Sequence, residues 1–490
     1  MNSPELSIVA VTRNDNHGGD MTYRMQLFIE GIFFQSEKYK YPVELIIVEW
    51  NPPKDRPPLA ESLSWPQNHK YCFVRIIKVP EKLHQNYKHA KNLPLYQMIG
   101  KNVGIRRAKG DFILATNVDV LFSDELFKVF ASGKLKKGKM YRVDRYDVKN
   151  DIPVYSSHDE RLKYCESNVL RINQQYGTKD INNNKKYPIY PENVHELNKK
   201  DYFSVPLHTN ACGDFQLMAW EHWNELHGYP ELDLFSMYID GIFEHMAYHH
   251  GIEEEVLHEP IFHIDHIAGW SLEGQNELLK RLTAKDIQSL EYGQYLDLTL
   301  KMHIERKPLI FNDQNWGFRK NMLQEYVINE KGIKQSHFDS EKFEFYESCN
   351  TGEWLKRINQ IHKEIEKETQ KNNLKEGDKN KQKEMGLKWF EENVNNKKVV
   401  VFGAGSGYDL FTKLILDAYN IRPEYFVDND HEKVGEMKNN IEIYSVEKLL
   451  DENKEEILIL VSSQFYQEIK DQLVKLGYKE HQNFFPAYQY

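Results

Sequence analysis

This sequence predicts an α/β protein built on Rossmann-like sheets, one in each of two domains. Three features carry that prediction. Short apolar runs at Leu6–Thr12, Glu44–Trp50, Phe73–Val79 and Phe112–Thr116 end in polar loops. A segment of helical periodicity from about Tyr23 to Ser36, with Met25, Phe28, Ile29 and Ile32 on its apolar face, separates the first two. A second strand–glycine turn–helix pattern restarts at Lys398.

A chain of 490 residues exceeds what one core usually holds. We divide it into a domain over 1–340, a charged helical linker over 341–396 and an α/β domain over 397–490. The linker assignment rests on Asn372–Glu384, which is almost devoid of apolar residues. With 40% hydrophobic and 13% aromatic residues the chain can bury substantial cores. A net charge of −10 argues against a nucleic-acid partner, which selects a basic face. Cys72, Cys165, Cys212 and Cys349 show no CxxC pairing and suit a reducing compartment. The first residues lack the pattern of a signal peptide, and no apolar run reaches the roughly 18 residues of a membrane span. The expectation is a soluble cytoplasmic protein. Contact with the inner face of a membrane and homo-oligomer formation are left open.

In chain order, Leu6–Thr12 is a buried strand opening into the polar loop Arg13–Asp20. Glu44–Trp50 is a second, stopped by Asn51-Pro52-Pro53. Gln97–Arg107 reads as a helix ending on the basic, glycine-stopped turn Arg106-Arg107-Ala108-Lys109-Gly110. Phe112-Ile113-Leu114-Ala115 then runs straight into Thr116-Asn117-Val118-Asp119. A carboxylate at the carboxyl end of a buried strand stands where open α/β sheets bind ligands. Cations on the preceding helix would face the phosphates of a nucleotide there, opposite a metal held by Asp119.

The stretch Lys101-Asn102-Val103-Gly104-Ile105-Arg106-Arg107-Ala108-Lys109-Gly110-Asp111-Phe112-Ile113 resembles the N-x-G-x-x-x-A-x-G-x-[YF]-[IL] segment of the GT-A glycosyltransferases of the GT2-like group. In that family the segment leads into a D-x-D metal motif; here Asn117-Val118-Asp119 stands in its place. The resemblance implies a nucleotide-sugar donor, Mn2+ or Mg2+ on Asp119, and a glycan or glycolipid acceptor. It further implies that Thr12, Arg13, Asp15 and Glu49 hold the base and ribose. Lys101, Arg106, Arg107 and Asn117 join the donor-binding set.

Two later clusters extend the resemblance. Thr209–Met218, Gly228-Tyr229-Pro230-Glu231 and Tyr238-Ile239-Asp240-Gly241 are similar to the acceptor half of these enzymes. There the acid at the Asp240 position is the catalytic base of inverting members. The same position also suits a helix N-cap. Asp214 is a candidate for acceptor binding. In Pro260-Ile261-Phe262-His263-Ile264-Asp265-His266, strand alternation sends His263 away from Phe262 and Ile264. His263 and His266 can then supply imidazole to an ion beside Asp119, as a C-terminal histidine does in several relatives. No H-E-x-x-H pattern points to a zinc hydrolase. The Lys- and Asn-rich Lys139–Val205 region would hold a variable acceptor site.

The last hundred or so residues place Gly403-Ala404-Gly405-Ser406-Gly407 after a strand and Asp428 some 20 residues on, a dinucleotide-type pattern with Tyr408 at the usual third glycine. The segment resembles small Rossmann-like domains appended to bacterial sugar-modifying enzymes and transferases. We read it as a non-catalytic or nucleotide-sensing module. The leading reading of the whole is a metal-dependent glycosyltransferase of bacterial surface-polysaccharide synthesis. Its rivals are a non-catalytic nucleotide-sugar-binding scaffold and a sugar-modifying or NAD-linked activity in the C-terminal domain.

Overall fold

The computed structural model describes residues 4–16, 18–67, 69–188, 207–266, 272–329, 332–336, 344–365, 367, 394, 397–405, 408, 412, 416, 421–463, 466–480 and 482–486. It resolves into two compact units, Met1–Glu366 and Lys367–Tyr490.

In the first unit, Leu6–Thr12 (β1), Val43–Trp50 (β2), Cys72–Val79 (β3) and Phe112–Thr116 (β4) pair in parallel in the order β3-β2-β1-β4. Their uninterrupted apolar character follows from being covered on both faces. Val9, Val11, Ile46, Val48, Trp50, Ile113 and Ala115 enter one core, while Ile8, Ala10, Leu45, Ile47 and Leu114 enter the other. The helix Met21–Tyr39 lays Met25, Phe28, Ile29 and Ile32 on the second core, as its periodicity requires.

The helix Gln97–Arg107 covers the first core through glycines rather than side chains. A Cβ at Gly100 would stand 2.5 Å from Val11 Cγ2, and one at Gly104 2.5 Å from Val9 Cγ1. Four residues apart, the two glycines form a smooth face that seats directly on β1 and β2.

The remaining strands of this unit are β5 (Val120–Phe122), β6 (Lys139–Val148), β7 (Val169–Gln174), β8 (Gly177–Asp180), β9 (Lys186–Pro188), β10 (Phe215–Ala219), β11 (Glu253–Ile264), β12 (Gln324–Asn329) and β13 (Gly332–Gln335). Antiparallel β10 joins β4 to β6, and β7, β8 and β9 continue beyond β6. β12 and β13 close the opposite edge against β3. Because β2 and β3 lie on one side of β1 and β4 on the other, a crevice opens beyond the carboxyl ends of β1 and β4. Residues 351–365, inside the stretch read as a linker, are helical and place Trp354, Ile358, Ile361 and Ile365 in the first core. The low-complexity Asn372–Glu384 lies outside the described residues, as do 189–206 of the acceptor region.

The second unit carries a six-stranded sheet of β14 (Lys398–Phe402), β15 (Tyr425–Val427), β16 (Met437–Lys438), β17 (Ile441–Tyr444), β18 (Ile457–Val461) and β19 (Phe484–Pro486). The order is β16-β17-β15-β14-β18-β19, parallel everywhere but at β16. Gly403 has φ 103°, and a Cβ there would come within 2.7 Å of Ser462 O. The following Ala404 N–H donates to Asp428 Oδ2 at 2.9 Å, so the acid expected of a ligand pocket caps the glycine turn. Tyr408 packs edge-on against Phe426.

All four cysteines are free and buried. No helix among the described residues is long and apolar enough to cross a membrane.

Two consequences can be measured. Gly104→Ala should destabilise the protein by about 1–3 kcal/mol in denaturant unfolding, although alanine is the better helix former, because overpacking outweighs propensity. Buried His158 and His245 have pKa values lowered by burial from 6.5 to about 4 and about 3. Below pH 6.5 the unfolded chain takes up protons that the fold refuses, so stability should fall from 6.5 toward the folded values. His245→Leu should flatten the decline of Tm with falling pH.

Candidate metal centre

Asp119 sits between β4 and β5, in the crevice beyond β4. Its partners are brought by backbone pairing. β5 runs antiparallel to β11 with Val120 opposite His263, and Ile264 N–H donates to Asp119 O at 2.9 Å. Alternation along β11 buries Phe262 and Ile264 with Leu27, Leu121 and Val148, and turns His263 toward the carboxylate. Ligand atoms of Asp119, His263 and His266 all lie within 4.8 Å of one another. Asp119 Oδ2 is 3.9 Å from His263 Nε2 and 3.3 Å from His266 Nε2. Asp119 Oδ1 is buried and has no hydrogen-bond partner among the described residues. An orphaned carboxylate oxygen is costly, and a cation would satisfy it.

A second carboxylate supports the first imidazole. β11 is also parallel to β6, with His263 opposite Asp147, and His263 Nδ1 is 3.0 Å from Asp147 Oδ1. An ionised carboxylate only accepts, so Nδ1 carries the hydrogen and the neutral ring keeps its lone pair on Nε2, available to a cation beside Asp119. Asp147 is itself held by Arg145 at 2.9 Å, Arg171 at 3.0 Å and Asn173 at 3.1 Å.

Burial resists the charge on Asp119, but His266, His263 and Arg24 outweigh it and hold the carboxyl well below the usual carboxylate range. Burial and Arg145 oppose charge on His263, yet Asp147 and Asp119 prevail and raise its pKa. One carboxylate with two imidazoles fits a divalent ion. Imidazole nitrogens suit first-row transition ions, whereas Mg2+ prefers oxygen ligands. A cavity of about 410 Å³ lined by Lys149, Asn150, Asp151, Leu170, Asp265 and His266 adjoins the cluster.

Asp240 lies in the first turn of the helix Ile239–His249, whose N-cap is Tyr238. The carboxylate is half-buried, and Gly241 N–H donates to Oδ1 at 3.0 Å. Burial raises its pKa against the pull of Lys101. Gly213 leaves it room, since a Cβ there would stand 2.7 Å from Asp240 Oδ2.

Several expected contacts resolve differently. Lys101, expected on a phosphate, is fully buried and donates to Gly213 O at 2.5 Å. Burial lowers its pKa to about 8 against the opposing pull of Asp214, Asp240 and Asp119. Arg106 and Arg107 are at the wrong end of the sheet. Their helix runs back to the start of β4, and its terminal turn is bound at the amino ends of β1 and β2, with Lys109 N–H on Glu44 and Gly110 N–H on Ser7. There Arg107 donates to the carbonyls of Phe318 at 2.9 Å and Asn321 at 3.0 Å, and Arg106 stacks 4.8 Å over Trp316.

Asp214, expected on the acceptor, has both oxygens engaged, one by Arg145 and one by Asn117. Asn117 also accepts from Gln97 at 2.8 Å, so the residue replacing the first motif acid is a structural bridge. Thr12 is buried and its hydroxyl faces Met25 Sδ at 3.5 Å. Arg13 and Asp15 pair at 2.7 Å, and Arg13 also holds Asn51 O across the neighbouring strand end. Glu49 is fully buried and accepts from Leu59 N–H at 2.9 Å, while its Oε2 is without a hydrogen-bond partner among the described residues.

Asp147 and Arg24 were missed by sequence reasoning. The signal for Asp147 was there: β6 carries Arg142, Arg145 and Asp147 at buried positions of a strand, an arrangement that demands ionic partners.

Residues 395–484 match a family model described as C2185-like, N-terminal. No curated protein matches the chain. Three solved structures are similar in fold. TarS 1-349 of S. aureus shares 15% identity over 62% of this chain and 71% of that one, with a TM-score of 0.30. The mannosyltransferase PcManGT from Pyrobaculum calidifontis, in complex with GDP-Man and Mn2+, shares 10% over 62% and 74%, with a TM-score of 0.28. GalNAc-T7 with UDP, GalNAc and Mn2+ shares 12% over 64% and 59%, with a TM-score of 0.32. All three superpose weakly.

If Asp147 orients His263 for a cation, Asp147→Asn should weaken Mn2+ binding about 10–100-fold in calorimetric titration while leaving the fold intact by circular dichroism.

Proposed function

We propose that the first unit is a GT-A-type glycosyltransferase that uses a divalent cation, Mn2+ rather than Mg2+, to move a sugar from a UDP-linked donor to a hydroxyl of a glycan or glycolipid, with inversion. The observation that carries the reading is the unpartnered Asp119 Oδ1 in a buried cluster with His263 and His266, at the crevice where a sheet of this order takes its ligand.

Asp119, His263 and His266 would hold the cation. Once bound, it would supply the positive charge that stabilises a departing diphosphate. Asp240 takes the proton of the acceptor hydroxyl as its oxygen forms the new bond to the anomeric carbon. The bond from that carbon to the phosphate oxygen breaks at the same time, and the electron pair leaves with the nucleoside diphosphate. A half-buried carboxyl with a raised pKa is better matched to that proton than an exposed one. Lys101 opposes that rise. Arg13 and Asp15, partly open at the end of β1, would meet the nucleoside.

The Lys- and Asn-rich composition and the appended second unit favour bacterial surface-polysaccharide assembly as the setting. For the second unit we favour a non-catalytic role, because Asp428 is spent on its own glycine turn and Tyr408 fills the third-glycine position.

The test is a screen of UDP-, GDP- and CMP-sugars for turnover with Mn2+, Mg2+ or chelator. Wild-type turnover should need the cation and be fastest with Mn2+. Asp119→Ala should abolish it. Asp240→Asn should lower it about 10²–10⁴-fold while leaving UDP affinity unchanged. Metal-dependent UDP binding with no turnover of any donor would instead identify a scaffold.

A further inference from the structure

Arg24 takes no part in the chemistry just described, yet it is the buried cation set most directly against Asp119. It is only 2% exposed, in the first turn of the helix Met21–Tyr39. Its Nη1 is 2.7 Å from Asp119 Oδ2, and its Nη2 donates to Gly19 O at 2.9 Å. Gly18, with φ +73°, threads between this guanidinium and the second imidazole. A Cβ at Gly18 would stand 2.9 Å from Arg24 Nη2 and 3.0 Å from His266 Nδ1. One side chain therefore ties the loop after β1 to the carboxylate at the middle of the cluster.

We infer that Arg24 is a latch: it and a divalent cation compete for Asp119, and an incoming cation releases Arg24, together with the Gly18–Gly19 loop, to grip the phosphates of a nucleoside diphosphate. This rests on the cluster being a cation site. Before the cation arrives, Arg24 shares with His263 and His266 the neutralising of a buried carboxylate, and it is the group set nearest to it. When a divalent ion takes the same carboxylate, two positive centres share one anion in a water-poor setting, and their repulsion drives the guanidinium off. A freed guanidinium is well suited to gripping the diphosphate, because its planar fork of donors matches a phosphate in two-point contact. Gly18 and Gly19, both at positive φ and without side chains, let the loop move with it. The cation therefore does more than hold the diphosphate. It also unmasks the positive charge that completes the diphosphate's site, so cation binding precedes and promotes nucleotide binding.

Arg24→Met and Arg24→Lys test the latch through two affinities, those for Mn2+ alone and for UDP in saturating Mn2+, each measured by calorimetry on the full chain. Arg24→Met should bind Mn2+ about tenfold more tightly than wild type and UDP about tenfold more weakly, the size of one charge-assisted contact. Arg24→Lys keeps the competing charge but loses the fork, so Mn2+ affinity should stay near wild type while UDP affinity falls. Weaker or unchanged Mn2+ binding in Arg24→Met overturns the latch, as does unchanged UDP binding in both variants. Should Arg24→Met fail to fold, hydrogen exchange on the wild-type protein decides. Added Mn2+ must speed exchange across residues 18–24, and unaltered exchange there overturns the inference. A wild-type protein that binds no Mn2+ overturns the cation site itself, whereas one that binds it with no gain in Arg24→Met overturns only the latch.

Discussion

The hydrogen bond from Ile264 N–H to Asp119 O holds the candidate site together. It fixes where β11 meets β5, and after a register shift between Leu257 and Ile261 the end of β11 pairs with β6 so that His263 stands opposite Asp147. Those two pairings leave His263 flanked by Asp119 and Asp147. A slip of one residue would swing His263 into the apolar group around Leu27 and Leu121 and bring Phe262 or Ile264 against two carboxylates. Because each alternative buries charge on hydrocarbon, the hydrophobic pattern of β11 polices the geometry of the cluster. The loop of residues between β4 and β5 needs no special conformation of its own.

Beneath the cluster the charges are balanced by few groups. Lys101 is buried against Gly213 O, within electrostatic reach of Asp214, Asp240 and Asp119, on a helix that rides on β1 and β2 through Gly100 and Gly104. Arg145 spans Asp214 and Asp147, and so links the Asn117 side to the imidazole side. A run of contacts from Gln97 through Asn117, Asp214, Arg145 and Asp147 reaches His263. Most of its members have no free valence for a ligand. Outside that run stand Asp119 Oδ1, without a hydrogen-bond partner among the described residues, and the half-buried Asp240.

The parallel strands and their flanking helices were legible because burial on both faces writes continuous apolar runs into the chain. Asp119 was legible as a carboxylate at the end of such a run, and His263 and His266 from the alternation along β11 and the polar turn that follows it. The arginines were misplaced for a topological reason. A helix that returns to the start of the next strand must end at the sheet edge opposite the ligand crevice, and that edge is where Arg106 and Arg107 lie. Asp214 and Lys101 looked available because nothing local reveals that Arg145 and Gly213 O claim them. Arg24 and Asp147 went unseen for the complementary reason, since their partners at 119 and 263 are far along the chain and are found only once strands pair.

The place of β10 has a consequence for how this molecule comes into being. It lies between β4 and β6, yet residues 215–219 are synthesised long after both. While the ribosome is making the intervening segments, the nascent sheet ends at β4 with a bare row of backbone donors and acceptors. β6 and its arm have nothing to dock on in that interval. Completion of the sheet therefore waits on a late insertion between two earlier strands, a non-local pairing of the kind that slows folding.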